Sequence, residues 1–140
     1  MNSSLFTSNT VEWETPQALF DQLNEEFRFT LDPCATAENA KCRKYYTKEQ
    51  DGLLQDWTGE TVYCNPPYGR QMGRWIEKCY EHWLSGGGVA VMLIPARTDT
   101  KAFHEYIYGK AEIRFIRGRL RFGNAERSVP VNDCDLQKGI

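Results

Sequence analysis

The chain has little of what nucleophilic and metal-dependent enzymes are built from. Its 140 residues include only two histidines, His82 and His104. Neither belongs to a recognisable Ser/His/Asp or Cys/His arrangement, no paired carboxylates stand out, and both histidines read as surface or packing residues. The five cysteines (Cys34, Cys42, Cys64, Cys79 and Cys134) are odd in number and form no Cys-x-x-Cys pair. That pattern argues against a disulfide frame or a zinc site and for reduced, packed thiols of a cytoplasmic protein. The longest apolar run, residues 89–94, is far short of the roughly 20 residues of a membrane span. Met1 to Phe6 lacks the basic and apolar regions of a signal peptide. With no internal repeat, low-complexity tract or linker, one domain over residues 1–140 is expected, large enough for a real core. Residues 128–140 form an atypical, polar tail to it.

Charge is plentiful but unevenly placed. The formal net charge of −2 hides a strong division. Residues 1–64 hold 5 Lys/Arg against 11 Asp/Glu, and residues 97–127 hold 8 against 4. A late basic block is what a phosphate-binding face produces, and a solvated surface produces it too. Arg97 and Thr98 follow the most apolar run. Arg117, Arg119 and Arg121 alternate, so on an extended chain they share one face. These residues are candidates for DNA-phosphate contacts, which give affinity without sequence choice. The alternating arginines could equally shield an edge strand.

The coarse organisation is legible. Thr15 as N-cap and Pro16 at the first helical position open a helix, along which Leu19, Phe20, Leu23 and Phe27 recur. Residues 29–31 form a short strand that stops at Asp32-Pro33, and residues 34–50 show no convincing period. Thr61 to Cys64 is the next strand. Met72, Trp75, Ile76, Cys79, Tyr80, Trp83 and Leu84 form the cleanest helical stripe, ended by Gly86-Gly87-Gly88. Val89 to Ile94 reads as a strand buried on both faces. Asp99 or Thr100 can cap a short helix carrying Phe103, Tyr106 and Ile107, and Glu112 to Ile116 is a further strand. Alternating strands and helices predict an α/β sheet with crossover helices. Ligands of such sheets bind beyond the carboxyl ends of strands, the edge on which Asp32, Asn65 and Arg97 fall.

The most informative stretch is Asn65-Pro66-Pro67-Tyr68. Two prolines in a row cannot donate backbone hydrogen bonds and each fixes its own φ, so the strand must stop and a rigid loop must follow. The exocyclic nitrogen of adenine is a poor nucleophile because its lone pair is delocalised into the ring. The Asn65 side-chain oxygen and the Pro66 carbonyl can accept both amino protons, favouring a tetrahedral nitrogen that attacks a methyl group. This is oxyanion-hole electrostatics with the sign reversed. Tyr68 would stack on the base, which duplex DNA must first flip out. A plain turn after a strand is the bland alternative. The missing strong base fits methyl transfer, in which a sulfonium supplies the driving force. Leu31-Asp32-Pro33-Cys34-Ala35 is a second candidate: a small-residue turn after a strand, with an acid for a ribose hydroxyl or an amino group, or else a helix N-cap. Asp51-Gly52 is either an adenine-binding acid or a turn.

Taken in order, Trp13-Glu14-Thr15-Pro16, residues 29–35, Asn39-Ala40, Asp51-Gly52-Leu53, Trp57, Asn65 to Gly69, Trp75, Pro95 to Thr100 and Gly118 to Phe122 resemble the phage and prophage DNA N6-adenine methyltransferase (Dam-like) family. The similarity runs from about residue 11 to 123. It implies a minimal Rossmann-like, S-adenosylmethionine-dependent methyltransferase fold acting on adenine in double-stranded DNA, in the cytoplasm of a bacterial host and encoded by a phage or prophage. By the same resemblance Asn65, Pro66, Pro67 and Tyr68 would hold the target adenine. Thr15 and Pro16 would contact the methionine end of the cofactor, Asp32, Cys34 and Ala35 would form its first loop, and Asp51 would lie near its adenine. The chain departs from the family pattern twice. Cys34-Ala35-Thr36-Ala37 replaces the Gly-rich cofactor loop, with too few residues before Asp51 for a full strand-helix-strand. The polar tail supplies no apolar final strand, so the sheet would lack that strand or be completed by a second copy. The alternatives are a decayed fold that binds DNA or cofactor without activity, and an amino-methyltransferase for RNA adenine or protein glutamine.

Overall fold

The computed structural model describes residues 14–118. Among these residues four short strands form one parallel sheet: β1 (Leu31–Asp32), β2 (Lys44–Tyr45), β3 (Val62–Cys64) and β4 (Ala90–Met92), in the spatial order β2-β1-β3-β4. Helix α1 (Gln17–Phe27) precedes β1, and α2 (Met72–Leu84) joins β3 to β4. This is the α/β arrangement that the alternation of elements predicts, and it is consistent with the Rossmann-like fold that the family resemblance implies.

Side chains of a strand alternate between faces, and β3 shows the consequence. Val62 and Cys64 pack with Leu31, Trp57, Trp75 and Cys79. Tyr63, between them, packs with Leu19, Phe20 and Leu23 of α1. All three β3 residues are buried, so β3 is covered on both faces. The expectation of that role for Val89–Ile94 is corrected: in β4 only Val91 is fully buried, and Val89 is 42% exposed. The reason is position, because among the described residues β4 has a strand neighbour on one side only.

Other expectations also shift. Among the described residues Glu112 to Ile116 joins no strand ladder; alternation specifies a face, not a pairing partner. That segment is tied instead to α1, where Arg114 donates to both carboxylate oxygens of Glu26 at 2.7 and 2.6 Å and lies over the Phe27 ring. Pro16, not Thr15, is the N-cap residue of α1, because the Thr15 hydroxyl is engaged elsewhere. The stripe on α2 is rotated toward its C-terminus: His82 is buried, while Trp83 and Leu84 are exposed. His82 packs edge-on against Trp57 and its Nε2 meets the Glu60 carbonyl at 3.0 Å. The short helix is one π-type turn, Phe103–Ile107, with Ala102 at its N-cap position; Thr100 lies ahead of it, its Oγ1 accepting from the Phe103 amide. Strand β2 has no counterpart in the sequence reading. It is reached from β1 without a helix, through a turn in which the Thr36 and Asn39 side chains each accept the other's amide. That turn explains how so few residues separate Asp32 from Asp51.

Candidate active site

The loops that follow β1, β2 and β3, with Glu14 and Thr15, enclose a pocket of about 650 Å³ at the carboxyl edge of the sheet. The chain leaves β1 toward β2 and leaves β3 toward β4, so the pocket sits at the point where the strand order diverges. Thr15, Asp32, Cys34, Ala35, Asp51, Asn65, Pro66, Pro67 and Tyr68 all line it. The structure therefore gathers into one cavity every cofactor and adenine candidate except Pro16.

Asp32 organises the first loop. It is 4% exposed, and its carboxylate accepts from the amides of Lys41 at 3.0 Å and Cys34 at 3.3 Å. No helix follows β1, so the N-cap reading of Asp32 is corrected: the same acceptor chemistry pins a loop instead. Burial raises its pKa to about 6, against the two amide bonds that favour the anion. Burial, aided by the nearby Asp32 charge, pushes the Cys34 and Cys42 thiols up to about 12. Both stay neutral, as packing thiols do.

Asp51 has φ 55° and accepts from the Leu53 amide at 3.1 Å, opening the 3₁₀ turn Gly52–Leu54. The turn reading is therefore present, on a residue that also lines the pocket. Gly52 leaves no room for a side chain, because a Cβ there would stand 2.1 Å from the Pro33 carbonyl oxygen. Its own carbonyl accepts from Trp57 Nε1 at 3.0 Å. This close approach keeps the loops bearing Asp32 and Asp51 side by side.

Beyond β3, the Leu93 amide donates to the Cys64 carbonyl at 3.0 Å, and the prolines then end the ladder. Pro66 is buried, whereas Pro67 and Tyr68 are exposed, so a fixed base presents an aromatic ring at the pocket mouth. Burial raises the Tyr68 phenol, and the positive charge of Arg97 opposes this, which places Arg97 near the ring. Arg97, Thr98 and Arg117 are exposed; the Thr98 carbonyl accepts from His104 Nε2 at 2.9 Å. Arg119 and Arg121 lie outside the described residues. Part of the basic block serves the fold itself: Arg114 pairs with Glu26, and Lys110 donates to the Glu105 carbonyl. Tyr68 also borders a second, apolar cavity of about 390 Å³ between α1, the segment after β4 and residues 112–118.

Sequence reading missed Tyr63. Its ring is core, but its hydroxyl bonds the Thr15 hydroxyl at 2.5 Å and both residues line the pocket. A tyrosine inside an apolar strand was the available signal, since a buried phenol needs a polar partner.

The DNA N-6-adenine-methyltransferase (Dam) family model matches residues 2–137. The chain belongs to that family. It is 31% identical over 117 residues to the DNA N-6-adenine-methyltransferase of Haemophilus phage HP1, a match covering 81% of this chain and 67% of that protein. It is 32% identical over 111 residues to the DNA N-6-adenine-methyltransferase of Escherichia phage T1, covering 77% of this chain and 45% of that protein. The chain thus spans about half to two thirds of the length of these phage relatives. No solved structure matches it. The family is one of adenine-specific DNA methyltransferases, so the site belongs to a methyl-transfer fold. Among the described residues there is no cluster of metal-ligating side chains and no helix long and apolar enough to cross a membrane.

Proposed function

We propose that the pocket binds S-adenosylmethionine and that the chain methylates the N6 amino group of adenine in double-stranded DNA, its residues 1–140 acting as one domain. One observation carries this reading. The acidic loops of Asp32 and Asp51 and the Asn65–Tyr68 loop open into a single cavity, so a methyl donor and its acceptor can share it. The cavity has the size of small-molecule sites. Its chemistry suits the cofactor: acids for an ammonium and for ribose hydroxyls, hydroxyls of Thr15 and Tyr63 for a carboxylate, and the Trp75 and Pro33 surfaces for a flat base. When bound, the cofactor supplies a methyl group on a positively charged sulfur.

The residues of the chain do the rest. Asp32, Cys34 and Ala35, with Thr15 and Pro16 at the start of α1 and Asp51 opposite, would hold the donor. Asn65 Oδ1 and the Pro66 carbonyl would accept the amino protons and stabilise the charge that develops on the nitrogen. Pro66 and Pro67 keep those acceptors in place, and Tyr68 would stack on the flipped base. Arg97, Thr98 and Arg117 would bind phosphates flanking the extruded nucleotide.

The test is transfer of tritium from labelled S-adenosylmethionine to unmethylated DNA, with RNA and protein as alternative acceptors. Label should appear in DNA and fall at least about 100-fold in Asn65→Ala, the order seen when one preorganised electrostatic contact is removed. Cofactor binding without label in DNA would overturn the catalytic reading, and label in RNA or protein would replace the substrate.

A further inference from the structure

We infer that Tyr63 is a positioning residue for methyl-donor binding, which aims the Thr15 hydroxyl at the carboxylate of the cofactor's amino-acid end. The inference rests on the assignment of the pocket to S-adenosylmethionine and goes beyond it. Thr15 and Tyr63 are 48 positions apart, yet their hydroxyls meet at 2.5 Å at the pocket wall. Thr15 is 3% exposed and Tyr63 1%.

Two hydroxyls carry two protons, and the bond between them uses one. The phenol is the stronger acid, so it is the better donor. Donation from Tyr63 to Thr15 Oγ1 leaves the Thr15 proton over. Among the described residues neither hydroxyl makes another hydrogen bond. A nearly buried donor without an acceptor is costly, and the open direction is the pocket. An anionic oxygen answers a hydroxyl donor best, and the carboxylate is the one anionic group of the ligand. The Tyr63 ring cannot turn away. It is wedged edge-on against Phe20, with ring centres 5.2 Å apart, and tilted against Phe29 at 5.3 Å. The rigid ring therefore fixes the direction of the threonine hydroxyl.

Two ligands separate this role from simple packing. S-adenosylhomocysteine carries the carboxylate, and 5′-methylthioadenosine lacks the whole amino-acid end. Their affinities should be measured by calorimetry for the full-length protein and for Tyr63→Phe, Thr15→Val and Thr15→Ser. Tyr63→Phe and Thr15→Val should weaken S-adenosylhomocysteine about tenfold, as for one hydrogen bond to a charged group. Methylthioadenosine should change less than about twofold by the same reckoning, and Thr15→Ser should bind both ligands as the parent does. Equal weakening of both ligands by Tyr63→Phe would show a structural role and overturn the inference. So would unchanged binding of both. If the parent protein binds neither ligand, the cofactor assignment itself fails and takes the inference with it. Loss of fold would show as a lowered Tm, and Thr15→Val, which leaves the strand untouched, then decides.

Discussion

The two sides of the sheet are built differently. On the β1–β2 side, loops are fastened by polar contacts: Asp32 on two amides, the Thr36–Asn39 pair, Lys44 on Glu60 at 2.6 Å, and Gly52 flush against Pro33. On the β4 side, an apolar cavity adjoins a strand that has one neighbour among the described residues, and Arg114–Glu26 is a polar tie across it. Tyr68 borders both regions. The contrast separates two tasks. The first side fixes the geometry of the larger pocket within residues 14–118, while the second is a packing surface on which the aromatic ring of the Asn65–Tyr68 loop leans.

The sharpest way to break the first side is Gly52→Ala. The added Cβ would fall 2.1 Å from a backbone oxygen, and neither the Pro33 backbone nor the buried Trp75 ring can give way cheaply. Overpacking of this kind should destabilise the protein by about 3 kcal/mol or more and abolish cofactor binding. Urea unfolding followed by Trp fluorescence would show it. A variant of parental stability would mean that the two acidic loops are not held by that contact.

Asp32 offers a subtler probe of the same side. Its folded value of about 6 lies above the 3.8 of the free side chain, so the folded state holds the proton more tightly than the unfolded chain. The folded state therefore benefits below about pH 4, and that benefit is lost as pH rises through 6. The full difference is about 3 kcal/mol. Stability of the parent should fall between pH 4 and 7, and the fall should be flatter in Asp32→Asn. If Asp32 meets the ammonium of the cofactor, ligand affinity should rise over the same interval, because the anion is the binding form. Identical pH slopes in parent and variant would remove Asp32 as the cause.

What the sequence disclosed follows the same division. Asp32, Asn65 and Arg97 could be placed on one edge because each follows an apolar stretch, and the carboxyl ends of parallel strands lie together. The double proline could be read as a stop because its chemistry is local. By contrast β2 escaped detection: its two residues, Lys44 and Tyr45, are not buried, so they bear no hydrophobic pattern. Glu112–Ile116 misled in the opposite direction, since its residues line a cavity and meet no ladder partner among the described residues. Tyr63 was hidden by its own neighbours, because an apolar run records burial and not where one hydroxyl points. Thr15 was assigned to a helix cap for the same reason; its partner lies 48 positions away.

The smallest expected effect belongs to the β4 side. Arg114→Ala removes a two-point ion pair with Glu26 together with the contact of the guanidinium on Phe27. Glu26 is 44% exposed, so solvent screens the pair, and the loss should be about 1 kcal/mol, at the upper end for surface pairs because the geometry is bidentate. A double-mutant cycle with Glu26→Ala, run at low and high salt, apportions the charge and packing shares. The coupling should shrink with salt, while the packing share should not. Cofactor affinity should stay at the parental value throughout, because neither residue lines the small-molecule pocket. A large drop in that affinity would show that the two sides are coupled through Tyr68, and the division between them would fail.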